Sequence, residues 1–209
     1  MNPAIEEMIL KGMGRSVTVG AFSTGIVGGG AGTVLDIDQP EFVIGVPAGY
    51  FIRPIFVNMS VQPGIETADS DEADLLLAVD SLGLWSGDGT STAENPSNLR
   101  TDLDKGSACR VGSAFTADMT TTPGNGGSAA DPVLDMELMR VSQISNFGDA
   151  TGISHRSLEL LFQPNYPPIL VGPCSLIGYW GGTIATVGGF AVIQWVEGPT
   201  RDLPSLAGL

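Results

Sequence analysis

The sequence predicts an all-β fold, an antiparallel β-sandwich with a short N-terminal helix or arm. Three observations predict it. About eight runs rich in Val, Ile, Leu, Phe, Tyr and Trp are separated by clusters of Gly, Pro, Asn and Asp, the pattern of short strands and turns. After the first fifteen residues no run has the apolar spacing of a helix face. Residues 167–197, PPILVGPCSLIGYWGGTIATVGGFAVIQWVE, carry no charge before Glu197. Gly and Pro recur there too often for a helix. The apolar runs 169–180 and 190–196 are rich in β-branched and aromatic residues, as strands are. They read as a buried terminal β-hairpin, in a sandwich or at a subunit interface.

The elements follow in order. Residues 2–14 read as an amphipathic helix. Asn2 is placed to cap it, Pro3 suits the first helical position, and Glu6 and Glu7 favour its positive end. Ile5, Met8, Ile9 and Met13 share one face, and Gly14 is expected to stop it. A helix this short is marginal alone, so that face is expected to dock either on the chain's own sheet or on a neighbour. The leading expectation is a neighbouring subunit, on which it acts as an assembly arm. Residues 16–22 alternate weakly, as a first strand would, residues 23–33 read as a Gly-rich loop or arm, and residues 34–37 as another short strand. The expected division is a helix and flexible Gly-rich arm over 1–33, a sandwich over 34–199 and a tail over 200–209.

Residues 41–46, EFVIGV, read as a buried strand, and Pro47, Ala48 and Gly49 as a turn. The following run, YFIRPIFVNMSV, is the cleanest strand in the chain. Simple alternation puts Phe51, Ile55, Val57, Met59 and Val61 on one face. Pro54 lacks a ladder donor, so the strand is at an edge or bulged there. Residues 65–74 read as an acidic loop and 75–84 as a strand. Residues 85–100 read as a polar surface loop, 107–119 as a further strand region and 120–131 as a mobile low-complexity segment. In 133–144, Leu134, Met136 and Leu138 are expected on one face. In 157–162, Leu158, Leu160 and Phe162 align.

Composition narrows the function. The chain has 209 residues, enough for one domain with a real core. Charged residues make up only 15%, against about 25% in an average domain. A neutral surface is cheap to desolvate against another protein. The net charge is −14, and the nine Lys and Arg are scattered. That excludes the basic patch a nucleic-acid interface needs and disfavours an anionic membrane surface. The uncharged run 163–196 has the length of a membrane span, but Pro and Gly pairs break it. Residues 1–14 lack a positive n-region and an h-region, so cytoplasmic synthesis is expected. Cys109 and Cys174 are too far apart for a metal or redox motif and read as buried free thiols.

Three stretches together carry a resemblance: EFVIGVPAGYFIRPIFVNMSVQ, a strand, a turn and a long strand; ADLLLAVD, a strand beside an acidic loop; and GGTIATVGGFAVIQWVE, a closing aromatic strand. Their order resembles single jelly-roll proteins of the virion type, the capsid, decoration or spike subunits of small or tailed phages, over roughly residues 41–197. The resemblance implies two four-stranded sheets of jelly-roll type and self-assembly into trimers or shells with other virion proteins. It also implies residence in the virion. Many shell proteins that touch a genome carry a basic N-terminal arm. Here Lys11 and Arg15 are balanced by Glu6 and Glu7, so direct nucleic-acid contact is not expected.

Catalytic signatures are weak. His155 is the only histidine and no GxSxG elbow accompanies it. One histidine also removes a cupin-type metal centre. The pairs Asp36/Asp38 and Asp135/Glu137 have the spacing of one strand face, but they read as solvated acids. Asp69, Asp71 and Asp74 form the candidate metal site, since alternating oxygen ligands suit Ca²⁺. No other cofactor is expected, and no enzyme activity. The leading expectation is a self-assembling virion protein. The alternatives are a carbohydrate- or ligand-binding β-sandwich module and, third, a hydrolase.

Overall fold

The computed structural model describes residues 3–20, 25–27, 35–62, 71–87, 91–145, 158–182 and 188–203. Helix α1 spans Pro3–Leu10. Eight longer strands follow: β1 Gly14–Val19, β2 Phe42–Val46, β3 Tyr50–Gln62, β4 Asp71–Asp80, β5 Met136–Ser145, β6 Leu158–Phe162, β7 Cys174–Gly182 and β8 Gly188–Pro199. They form an all-β sandwich. Sheet one has the order β6-β3-β8-β1 and sheet two the order β5-β4-β7-β2, with every pairing antiparallel. Short strands extend both. Ser97–Asn98 lies beyond β1, and Arg110–Ser113 then Thr92–Glu94 lie beyond β2.

The inner faces meet in one core. Sheet one contributes Ile52, Val57, Met59, Val61, Ala191, Ile193 and Trp195; sheet two contributes Phe42, Ile44, Leu75, Leu77, Val79, Leu176 and Trp180. Both indoles are buried with their N–H groups satisfied. Trp180 donates to the Ile26 carbonyl at 3.0 Å and Trp195 to Glu197 Oε2 at 3.0 Å. The Phe42 ring occupies the space a side chain at position 178 would need, so Gly178 is required there.

The outer face of sheet two is buried as well. Val43, Leu76, Ala78, Ile177 and Tyr179 project outward and meet Trp85, Phe115 and Met119 from the connection between β4 and β5. That explains why LLLAV and LIGYW are continuous apolar runs rather than alternating ones. Trp85 and Phe115 pack edge to face, with centroids 5.8 Å apart.

Several expectations are corrected. The expected terminal hairpin does not pair with itself: β7 lies between β4 and β2 in sheet two, and β8 between β3 and β1 in sheet one. Each strand is interior to its sheet, which is why both are so apolar. The helix ends at Leu10, and its stop is Gly12, not Gly14. Gly12 takes φ +75°. Met13 N–H bonds the Met8 carbonyl and Gly12 N–H bonds the Ile9 carbonyl, a Schellman end. Gly14–Val19, which a division at residue 33 assigns to the arm, is an interior strand of sheet one between β8 and Ser97–Asn98.

Of the two readings of Pro54, an edge strand or a bulge, the structure has the bulge. Gln194 pairs with Phe56 and Trp195 with Pro54, so Ile55 is the extra residue. The bulge also breaks the expected alternation. Ile52 and Pro54 face inward before it, and Val57, Met59 and Val61 after it, while Ile55 turns outward with Phe56. A second bulge, between Glu137 and Met139, resets β5 in the same way. Leu134 then joins the outer cluster, whereas Leu138, Met139 and Val141 pack on the inner core. Strand β4 begins at Asp71, inside the expected acidic loop. Trp85, expected in a surface loop, is 3% exposed. The segment expected to be mobile is tied down, since Thr121 and Ala130 exchange two backbone hydrogen bonds and Thr122–Pro123 pairs with Gly83–Leu84. The region 107–119 contributes only the short strand Arg110–Ser113. In β6, Leu158 and Leu160 are buried and Phe162 packs on the core, as expected. Among the described residues no helix is long and apolar enough to cross a membrane.

Candidate functional site

The expected assembly residues lie against the chain's own body. Ile5 is 4% exposed, and Met8, Ile9 and Met13 are partly buried. The Ile9 side chain borders Gly14, and Met13 borders Gly198. The helix is therefore docked on sheet one of its own chain, with Leu10 its exposed apolar residue.

Of the acidic-loop residues, Asp69 lies outside the described residues, and so does His155. Asp71 pairs with Ser145 across the β4–β5 ladder. The buried Asp74 carboxylate accepts from Arg140 Nη2 at 2.5 Å. Among the described residues no group of three or more His, Cys, Asp and Glu gathers as a metal site. The other expected carboxylate pairs are engaged separately. Asp36 accepts from the Asp38 N–H at 3.2 Å. Asp135 accepts from Ser81, from its backbone N–H at 2.9 Å and from its hydroxyl. Those bonds from Ser81 hold the Asp135 carboxyl below its ordinary range. Asp38 moves the other way, raised by burial and then by Asp131, Asp36 and Asp118.

Cys109 and Cys174 are free and buried. Burial, then Asp80 and Asp135, pushes the Cys174 thiol up to about 12. Burial, then the Glu197 carboxylate, raises Cys109 still further. Both stay protonated at neutral pH, and a thiol is a poor nucleophile and metal ligand. The Tyr179 hydroxyl, raised by burial and then by Glu41 and Asp38, donates to the Ile37 carbonyl at 2.9 Å.

Two buried polar centres went unread in the sequence. Arg15 is 1% exposed and its Nε lies 3.1 Å from Glu197 Oε1. Its guanidinium also donates to the carbonyls of Gly12, Gly14 and Gly106. Glu197 accepts from the Ser107 hydroxyl, the Ala108 N–H and the Trp195 indole. This centre fastens the helix end and the 106–108 segment to sheet one. Its signal was a lone charge closing a 34-residue uncharged run, 163–196. The second centre is Asp80, which accepts from the Gly83 N–H at 2.7 Å, the Thr121 hydroxyl at 2.7 Å, and the N–H groups of Leu82 and Val133 at 3.2 Å. It gathers three segments at one end of the sandwich. Leu82 and Val133, whose N–H groups both donate to that carboxylate, are 72% and 66% exposed.

The outer face of sheet one carries a groove of about 900 Å³. One wall is the start of α1, with Pro3 and Ile5. The floor is Gln194 of β8 with Ile55 and Phe56, turned outward by the β3 bulge. The other wall is the corner after β6: Gln163, Pro164, Asn165 and Tyr166. Buried Pro167 and Leu170 anchor that corner, so Tyr166 is presented at 85% exposure. Among the described residues no charged side chain lines the groove.

No known protein family matches the chain, and no curated protein is similar to it.

Proposed function

We propose that this chain is a structural virion protein, a capsid or capsid-decorating subunit of jelly-roll type. It assembles into trimers or larger homo-oligomers and with other virion proteins, and it works by protein–protein contact rather than catalysis. The observation that carries this reading is the strand order. Successive strands β1, β2, β3 and β4 alternate between the sheets, β4 and β5 pair within sheet two, and β6, β7 and β8 alternate again. That interleaving of two four-stranded sheets supports a jelly-roll reading, the double Greek-key arrangement of capsid and lectin domains and of cupins.

Two further observations favour an assembling subunit over a cupin-like enzyme. The space between the sheets is filled by Trp180, Trp195 and aliphatic side chains, so the interior offers packing where a cupin holds its metal. Large apolar side chains also stand exposed: Leu82 and Val133, whose N–H groups share the Asp80 carboxylate, and Leu161, Ile169 and Val171 along the outer side of β3. Burying them against a neighbouring subunit would remove apolar area from water.

Light scattering on the eluting full chain tests the reading, together with negative-stain imaging. A mass of three subunits or more is expected, falling in the double variant Leu82→Ser/Val133→Ser without a change in circular dichroism. A monomer at every concentration and ionic strength would sink the proposal.

A further inference from the structure

From the groove on sheet one we infer a binding site for a neutral saccharide. The groove spans about 900 Å³, at the upper end of the range for small-ligand sites. Its lining combines two side-chain chemistries. Phe56 and Tyr166 offer aromatic faces, Tyr166 almost wholly exposed. Gln163, Asn165 and Gln194 offer primary amides, and among the described residues none of these amides hydrogen-bonds another side chain or the backbone. A primary amide presents two donors and an acceptor oxygen. A sugar's vicinal hydroxyls are likewise donors and acceptors, and the C–H face of a pyranose is apolar enough to stack on an aromatic ring.

The occupant is set by what the groove lacks. On a chain of net charge −14, none of the nine described lining residues is charged, so an ionic ligand gains no partner among them. An added peptide strand is also poorly served. The β8 side of the floor is fully paired. On the β6 side, β3 pairs through 57–61 with β6 and through 51–52 with Leu170–Val171. Between those two stretches residues 53–56 are left without a ladder partner on that side, a gap too short for a strand. It suits a compact polar ligand. The rigid support is already built: the bulge fixes Phe56, and Pro164 and buried Pro167 fix the corner that carries Tyr166.

The test uses the full chain and neutral trisaccharides of glucose, galactose and N-acetylglucosamine in titration calorimetry, with light scattering in parallel. At least one sugar is expected to bind in the micromolar to millimolar range. Tyr166→Ala is expected to weaken it at least about tenfold, Tyr166→Phe to retain most of it, and Gln163→Ala/Asn165→Ala to weaken it as well. Tyr166 is exposed, so its loss leaves the fold intact, which circular dichroism checks. No binding by any of the sugars overturns the inference, as does binding that Tyr166→Ala leaves unchanged. If Tyr166→Ala instead lowers the oligomer mass, the groove is a subunit contact and the saccharide site is rejected while the assembly reading stands.

Discussion

The two outer faces of the sandwich are finished in different ways. Sheet two is roofed by its own chain: Trp85, Phe115 and Met119 close over Val43, Leu76, Ala78, Ile177 and Tyr179. Sheet one has a helix over one end, and elsewhere its outward residues, among them Thr18, Asn58, Val192 and Gln194, are partly or fully exposed. The sequence reflects this. Strands β4 and β7 of sheet two are apolar at successive positions, whereas β3 alternates after its bulge, as in VNMSV. A roofed face has already spent its apolar area on stability. An open face remains available for contact, and the neutral groove is on the open side.

The largest expected effect concerns how far the N-terminal segment can be removed. Deleting residues 1–33 takes away β1, which pairs with β8 along six residues and fills the core with Val17 and Val19. That truncation is expected to abolish folding. Deleting only residues 1–10 removes the helix and uncovers part of sheet one, and is expected to leave a cooperative β-fold of lower stability. Circular dichroism with thermal melts separates the two. A folded 1–33 deletion would contradict the interior placement of β1.

Next comes the roof itself. Trp85→Ala removes the largest side chain of the outer cluster and is expected to cost about 3–5 kcal/mol, the usual penalty for a buried aromatic. Val192→Thr, on the open face of sheet one, is expected to stay within about 0.5 kcal/mol. Urea midpoints measure both. Equal penalties would mean that sheet one is covered too, by a neighbour in an assembly or by the chain.

The fastening at the other end has a comparable but distinguishable effect. Glu197→Ala leaves the Arg15 guanidinium buried without its counter-charge, and is expected to cost about 3–5 kcal/mol. The double variant Arg15→Met/Glu197→Leu is expected to recover much of that loss, since an apolar pair of similar volume needs no desolvated charge. If the double variant is no better than the single one, the hydrogen bonds to Gly106, Ser107 and Ala108 matter more than the ion pair.

What the sequence made legible follows the same division. The strand class, an irregularity at Pro54 (edge or bulge) and the inward face of β6 were readable because period-two patterning and proline chemistry are local. Partnership was not. The 169–180 and 190–196 runs look like a hairpin because they are adjacent and equally apolar, yet they enter different sheets, and nothing local encodes that choice. The roof was misread because Trp85 is surrounded by Gly, Ser and Asp, whose loop chemistry outweighs one aromatic. The groove was invisible because Ile5, Phe56, Tyr166 and Gln194 come from four distant parts of the chain. Only the bulge, helix docking and proline corner bring them together.

The smallest effect lies under the roof. The Asp38 carbonyl accepts the Met119 N–H at 2.6 Å, so this segment helps hold the cover. Its own carboxyl is raised by burial and by Asp131, Asp36 and Asp118. For an acid raised in the folded state, the native form binds the proton more tightly than the unfolded chain. Its contribution to stability therefore improves as pH falls through the folded pKa and is lost as pH rises above it. Asp135, lowered by Ser81, has the opposite sign: its contribution is present above the unfolded pKa and fades as pH drops through the folded one. Asp38→Asn removes the repulsion while keeping the shape. It is expected to raise Tm at pH 7 by under about 2 °C, a surface-scale change, and to give no gain at pH 3, where the wild-type carboxyl is already protonated. Added salt should shrink the gain at pH 7, since the opposing acids are partly screened. A gain that persists unchanged at pH 3 would assign the effect to packing of the amide rather than to charge, and the cover would then be free of electrostatic strain.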